Sequence, residues 1–367
     1  MLPRMYDAII VGARCAGAPA AMLLARSGYR VLAIDRSTFP SDIMSTHFIQ
    51  PQGAARLERW GVLQRVLDAG TPPIERVTMH LGSDVAMESP APPGLPPAIC
   101  PRRTILDAIL VDAAREAGAE VREGATLQDL LIDGDRVAGI RARARDGVIF
   151  EEHARVVIGA DGMHSAVARI VRAPEYDTHP AMTCGYYAYW AGVDPQGAHL
   201  CLNNRTGMLA FPTNDGLTCI ALMRPIDDFD AFRRDIDATY RRHVTACLRL
   251  IGSQLPAATI EGRYIGTADT RNYFRRPYGP GWALVGDAGY HRDPVTGLGI
   301  SDAFRDVEFL VEALDAALSG REPADEALAA YERRRNEAAR PDYDRTLFFA
   351  SLPSKEQVLA AMASQPA

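Results

Sequence analysis

Lysine is almost missing from this chain of 367 residues: among 40 lysines and arginines the single lysine is Lys355. That excludes any mechanism needing a lysine in the middle of the chain, whether as base, Schiff-base former or halide relay. Cysteine is sparse and unpaired. Cys15, Cys100, Cys184, Cys201, Cys219 and Cys247 lie far apart, which argues against a zinc site and a disulfide framework and suits a reducing compartment. No apolar run approaches the roughly 18 residues needed to span a bilayer. No internal repeat or low-complexity tract intrudes. The net charge of −6 lacks the basic excess that phosphate backbones demand, so nucleic acid is not an expected partner. The first strand-like run starts within six residues of Met1, so the expectation is a soluble cytoplasmic protein without a signal peptide, membrane partner or metal.

What is present is three short glycine-centred segments, far apart. The first opens the chain. Tyr6 to Val11 is an apolar run broken only by Asp7 and reads as a buried parallel strand. Gly12-Ala13-Arg14-Cys15-Ala16-Gly17 follows, then an Ala- and Leu-rich helix from Ala16 to Arg26, with Pro19 tolerated in its first turn and Gly28 as its stop. A second strand, Arg30 to Ile34, ends in Asp35 and Arg36. An acidic side chain about twenty residues after such a turn is where dinucleotide-binding units grip a ribose, and the helix N-terminus is where they seat a pyrophosphate. Arg14 occupies the position of the second glycine of Gly-x-Gly-x-x-Gly. Either it turns outward, or its guanidinium makes a charge-assisted contact to the cofactor, the reading favoured here.

Further along, a helix is expected from Phe48 to Leu63, with Pro51 in its opening turn. Thr71 to Pro101, with six prolines between Pro90 and Pro101, reads as an irregular surface excursion. Ile105, Leu106, Ile109, Leu110, Ala113 and Ala114 mark one face of a helix that begins at Arg103 and stops at Gly118. Hairpins follow, with turns at Asp133-Gly134 and Asp146-Gly147, and then a buried strand, Arg155 to Ile158, that ends at the second segment, Gly159-Ala160-Asp161-Gly162. Short alternating runs over Thr183–Val193, Leu200–Asn203, Met208–Phe211 and Leu217–Met223 read as an antiparallel sheet, followed by a helix from about Asp228 to Leu250. A last strand, Trp282 to Val285, delivers the third segment, Gly286-Asp287 with Pro294 and Gly297-Leu298-Gly299. Helices from Ile300 to Leu318 and Ala324 to Ala339 then lead to a short tail.

In this order the segments resemble the p-hydroxybenzoate hydroxylase-like FAD-dependent monooxygenases, over nearly the whole chain. The resemblance implies an α/β fold: a Rossmann-like FAD-binding domain of the glutathione reductase type (1–70, 102–171 and 266–345), interrupted by an antiparallel substrate-binding sheet domain (71–101 and 172–265), with C-terminal helices and a tail at 346–367. It implies FAD, with the N-terminal motif holding its ADP half, Arg103 and Leu106 matching the family's Arg-x-x-Leu, and Asp161-Gly162, with Ser165 and Arg169, an element tied to FAD and reduced nicotinamide. Asp287 would hydrogen-bond the ribityl chain, and Pro294 and Gly297-Leu298-Gly299 would lie against the isoalloxazine. The candidate cofactor residues are thus Gly12, Arg14, Ala16, Gly17, Asp35, Arg36, Arg103, Asp161, Gly286, Asp287, Pro294, Gly297, Leu298 and Gly299. His291 stands one position beyond the family's usual Gly-Asp-Ala-Ala-His.

The activity implied is hydroxylation of an aromatic or polycyclic small molecule, an aromatic or hydrophobic partner, with NADH or NADPH reducing FAD and molecular oxygen reacting through a flavin C4a-hydroperoxide. The setting implied is bacterial secondary metabolism, and the protein a monomer or homodimer. No base is fixed: His47, Tyr187 and His291 are candidates and His179 a weaker one, while Tyr186, Tyr187, Tyr189 and Trp190 serve either as core or as substrate wall. Three other readings stand. Phe211-Pro212 resembles a feature of geranylgeranyl reductases, which reduce carbon–carbon double bonds. A halogenase would need a pocket lysine and a Trp-x-Trp-x-Ile-Pro motif, both absent. A non-catalytic FAD-binding redox sensor is the third.

Overall fold

The structure, a computed structural model, describes residues 5–45, 47–90 and 92–364. Among these residues two large sheets organise the chain. The first, of 8 strands, places Trp282–Leu284, Ile149–Gly159, Tyr6–Val11, Val31–Asp35 and Glu120–Glu123 side by side and parallel. The central strands Tyr6–Val11 and Val31–Asp35, and the last residues of Ile149–Gly159, read as near-continuous apolar runs because both faces are covered there, by the Gly17–Arg26, Arg103–Glu116 and Gly299–Leu318 helices on one side and the Thr126–Asp133/Arg136–Arg143 hairpin on the other. The chain has the mixed α/β architecture expected of it.

The second sheet has 7 strands in the order Thr259–Thr267, Thr183–Ala191, Thr218–Pro225, Thr206–Pro212, Ala198–Asn203, Arg76–Leu81 and Val85–Pro90. Its two faces have different jobs, set by period-two alternation. Tyr186, Ala188 and Trp190 pack against Phe232, Tyr240 and Val244 of the helices that follow the sheet. Tyr187 and Tyr189 point the other way, toward Phe48, Leu209, Phe211 and Val295.

Several sequence expectations are corrected. The segment after Thr71 is not irregular: Arg76–Leu81 and Val85–Pro90 form a hairpin on the sheet edge, and Arg76–Leu81 pairs in parallel with Ala198–Asn203. Its half-exposed, half-polar strands carry little alternation, and their partner lies more than a hundred residues away. The helix expected from Phe48 begins only at Pro51, because Ile49 is taken up by a bridge to Ile99, and it breaks at Trp60 before a second short helix, Leu63–Asp68. The helix expected over 228–250 is broken at Asp235 and Leu248.

The C-terminus differs most. The last long helix runs from Ala324 to Ala350 straight through Pro341, and a further helix, Lys355–Ala363, replaces much of the supposed tail. Proline normally ends a helix by removing a donor and crowding the preceding turn. Here a buried stripe of Tyr331, Arg335, Ala339, Tyr343, Thr346 and Ala350 continues on both sides of it and holds the helix in register. No helix among the described residues is long and apolar enough to cross a membrane.

Candidate functional site

The three glycine segments meet because each one ends a strand of the parallel sheet, and those strands are neighbours. Val11, Gly159 and Leu284 close adjacent parallel strands. Backbone bonds then lock the turns together: Gly12 N–H donates to Ile34 O (2.8 Å), Ala160 N–H to Val11 O (2.8 Å) and Val285 N–H to Gly159 O (2.9 Å). The carboxyl edge of an open parallel sheet is where such folds bind ligands.

Close approach is built into the first turn. A Cβ on Gly17 would lie 1.7 Å from Gly12 O, and one on Gly12, where φ is +96°, would lie 2.4 Å from Ala160 O. Only glycines allow the helix N-terminus to sit this tightly on the strand ends, with its free amides facing outward. Behind the turn, Asp35 is buried and accepts from Ala13 N–H and Ser37 N–H, both at 2.8 Å, so it shapes the turn that it borders.

Arg14 has a partner inside the protein. Its guanidinium donates to Asp107 (2.6 Å), to the Ser37 hydroxyl (3.1 Å) and to the Ser41 hydroxyl (3.0 Å). Asp107 also accepts from Arg103 Nε (3.0 Å) and from the Cys15 thiol (3.4 Å), and burial pushes that thiol far above its usual range. The sequence reading passed over Asp107, although an acid four residues after Arg103 on a buried helix face is the available signal.

The second segment is also self-capped. Asp161 accepts from the Ser165 hydroxyl (2.5 Å) and Ala166 N–H (2.6 Å) at the start of the Ala166–Ile170 helix, and burial raises its carboxyl. Tyr273 ties the second segment to the third, its hydroxyl shared between the carbonyls of Met163 (3.2 Å) and Asp287 (2.7 Å). Asp293 anchors the last loop to the second sheet: it accepts from the Thr183 hydroxyl (2.7 Å) and from Val295 N–H (3.0 Å).

One cavity of about 580 Å³ runs between the two sheets. It is lined by Gly12, Arg14, Ala16, Asp35, Arg36, Arg103, Asp161, Gly286, Asp287, Pro294, Gly297 and Gly299, together with Tyr187 and His291. Three sequence candidates lie elsewhere. Gly17 sits beneath the turn, and Leu298 faces a second cavity of about 560 Å³. His47 is fully buried behind the wall, at a positive φ of 63°, with Nε2 hydrogen-bonded to the Tyr189 hydroxyl. Burial and the charges of Arg103 and Arg102 hold it well below the usual histidine range, so it is neutral. Tyr187 faces Ser45 and Tyr189 without a hydrogen bond of normal geometry to either, and burial pushes its hydroxyl up. His291 Nδ1 donates to Arg271 O, its Nε2 has no hydrogen bond among the described residues, and His179 is exposed on the far edge.

The second cavity is separated from the first by the Pro294–Gly299 loop and the start of the Gly299–Leu318 helix, with Met223 and Asp302 on both linings. Met79, Leu200, Leu202, Met208, Leu209, Phe348, Phe349 and Met362 make it largely apolar. Its wall from the Lys355–Ala363 helix lay beyond the reach of the sequence reading.

The FAD binding domain family model matches residues 5–346, which takes in every segment that lines the first cavity. The chain belongs to the FAD-binding domain family. The tight turn at Gly12 and Gly17, which an added Cβ at either would force apart, suits the pyrophosphate of FAD, and a Cβ on Gly299 would stand in open space with nothing within 4 Å. Relatives span different chemistries. A digeranylgeranylglycerophospholipid reductase of Methanothrix thermoacetophila is 28% identical over 346 residues, covering 90% of this chain and 83% of the relative. The myxobacterial chondrochloren halogenase shares the fold at TM-score 0.86 and 22% identity, covering 93% of this chain and 82% of its own. PqsL of Pseudomonas aeruginosa, a probable FAD-dependent monooxygenase, does so at TM-score 0.85 and 20% identity, covering 98% and 100%. The expected FAD-binding family and its α/β fold hold.

Proposed function

We propose that this protein is a FAD-dependent monooxygenase that uses NADH or NADPH to hydroxylate a compact apolar molecule, aromatic in character. The observation that carries this reading is the pair of chambers on either side of the Pro294–Gly299 loop. The first would hold FAD, with Gly12 and Ala16 at its pyrophosphate, Asp35 and Arg36 near its adenosine ribose, and Asp287 and Gly297–Gly299 at its redox end. Bound FAD supplies two-electron chemistry with oxygen. The second chamber falls within the range that encloses a drug-sized ligand. Its methionines and phenylalanines give it an apolar wall, the kind of surface that helps keep water from a reactive oxygen species.

Arg14 acts through position. Committed to Asp107, Ser37 and Ser41, it braces the turn rather than competing for phosphate. The N-terminal end of the Gly299–Leu318 helix favours negative charge at the adjoining edge of the ligand.

Chamber size bears on substrate. The second chamber's volume matches a compact ligand, and PqsL is known in complex with 2-aminobenzoylacetate, a compact aromatic. Halogenation is disfavoured because Lys355 pairs with Asp84 at the surface, far from any role in either chamber. Reduction of a carbon–carbon double bond is the second reading, favoured by the curated relatives and by Phe211-Pro212 beside Phe48.

Turnover of a panel of phenols and polyketide-like aromatics under isotopically labelled oxygen tests the proposal. Label in the product, with matching NAD(P)H consumption, supports hydroxylation. Saturation of an olefin under strictly anaerobic conditions would replace it with the reductase reading.

A further inference from the structure

Four charged side chains, three of them buried and Arg305 partly exposed, stand in the wall that the two chambers share. Arg292 and Asp306 line the first chamber, Arg305 lines the second, and Asp302 lines both. Asp302 stands in the first turn of the Gly299–Leu318 helix. One of its oxygens pairs with Arg292 Nη2, and the other accepts from Arg305 Nη1 at 2.9 Å. Arg305 also pairs with Asp306 at 2.8 Å. The long C-terminal helix adds Asp342 on the second-chamber side and Thr346, whose hydroxyl lies 3.5 Å from Arg292 Nη1. From the strand before the loop comes Tyr290, whose buried hydroxyl has no hydrogen-bond partner among the described residues and borders the first chamber.

An assembly built only to hold two elements together would not need this composition. Taking charges out of water costs several kcal/mol per ion, and apolar side chains of equal volume tie a helix to a loop at least as well. Arg292 and Arg305 face Asp302 and Asp306, and Asp342 is paired with Arg345 on the second-chamber side, so the wall is charge-balanced with Asp302 ionised and can exchange one proton without a large excess of either sign. Polar valence is also left over, at Arg292 Nε and at Tyr290.

We propose that Asp302 is a proton-exchange residue of the shared wall, held between Arg292 and Arg305 where it can serve a ligand in either chamber. This rests on the reading of the first chamber as the flavin chamber. In one direction the O–H bond of the neutral carboxyl breaks, the proton passes to an oxyanion or basic nitrogen of the ligand, and the electron pair stays on Asp302, stabilised by the two guanidinium groups. In the other direction the carboxylate takes a proton from a ligand hydroxyl. No electron moves in either step. Burial lifts the carboxyl to about 6, against the opposing pull of Arg292 and Arg305 and with the help of Asp306 and Asp342, so both forms are accessible near neutrality. Asp302 was not among the sequence candidates, because an acid in the first turn of an amphipathic helix reads as an ordinary response to the helix dipole.

The test is a pH titration of the FAD-loaded protein, following the visible spectrum of the oxidised flavin, in the wild type and in Asp302→Asn and Arg292→Gln. The wild type should show one spectral step near pH 6, Asp302→Asn should lose it, and Arg292→Gln should move it upward because a stabilising cation is gone. Persistence of the step in Asp302→Asn, or no wild-type step with FAD bound, would overturn the proposal. His291 also borders the first chamber, so the step must be assigned by the asparagine variant. If Asp302→Asn fails to fold, Arg292→Gln decides: an unmoved step counts against Asp302. A colourless wild type would defeat the flavin reading instead, and Asp302 is then followed by the infrared carbonyl band of its protonated form, whose absence across the same titration overturns the proposal independently.

Discussion

Arg14 and Asp107 form an ion pair at 2.6 Å that joins the glycine turn after the first strand to the middle of the Arg103–Glu116 helix. The Asp107 side chain is wholly inaccessible, and its second oxygen is committed to Arg103. A residue that departs from the dinucleotide fingerprint is thus paired with one that no fingerprint contains. Where the fingerprint has a glycine this chain has an arginine, and Asp107 supplies its charge partner.

Asp107→Ala should cost about 3–5 kcal/mol, because it leaves two guanidinium groups and no compensating charge in a closed site. Urea unfolding measures the loss, and flavin content after purification should fall with it. Asp107→Asn keeps the acceptors and should cost less. An alanine variant as stable as the wild type would remove the brace from this account.

Gly17→Ala should abolish flavin retention, since its Cβ would fall 1.7 Å from Gly12 O and the helix start cannot yield without opening the turn. Gly28→Ala is the control. Gly28 has a φ of +87° and no neighbour within 4 Å, so it should lose only the roughly 1–2 kcal/mol of left-handed strain and keep its flavin. The ratio of flavin to protein absorbance separates the two.

Much of this site was legible before the fold was known. Glycines at the ends of apolar runs announce where strands stop, and Asp35 announces where the second one stops. Parallel pairing then brings three distant turns to one edge without further instruction. The Arg76–Pro90 hairpin was not legible, because a half-exposed strand with a remote parallel partner carries almost no local pattern. Pro341 misled for the opposite reason: its local signal is strong, and a buried stripe on both sides of it overrides that signal. Asp107 and Asp302 share a cause. Each is a charge on a helix face that sequence patterning assigns to either solvent or dipole; Arg103 four residues before Asp107 was a readable hint, but only tertiary structure brings Arg14 to Asp107 and Arg292 to Asp302.

His47 gives a pH prediction with a definite sign. Its folded-state affinity for a proton lies well below that of an unfolded histidine, so unfolding takes up a proton as the pH drops below about 6.5. Stability is fully present above that value and falls below it, by up to about 1.4 kcal/mol per pH unit from this residue. Urea midpoints at about pH 7 and about pH 5 should diverge less in His47→Gln than in the wild type. Equal divergence would mean that the histidine is protonated in the folded protein.

Met79→Trp tests the second chamber. Met79 lies on the edge-side strand Arg76–Leu81 and lines that chamber without lining the first. The bulkier ring should leave flavin content intact and reduce substrate-stimulated NAD(P)H oxidation by at least about tenfold, the scale on which pockets discriminate volume. Loss of flavin would place the two chambers in one cofactor site.

The measurement that bears most directly on the account is rapid mixing of the anaerobically reduced protein with oxygen, after reduction by NADPH or NADH, in the presence of a turned-over aromatic substrate. Monooxygenation predicts that the flavin bleaches with the nicotinamide and returns to its oxidised spectrum in two resolved phases, with hydroxylated product equal to the flavin present. A protein that bleaches, reoxidises in a single phase and leaves every aromatic unchanged would contradict the central claim.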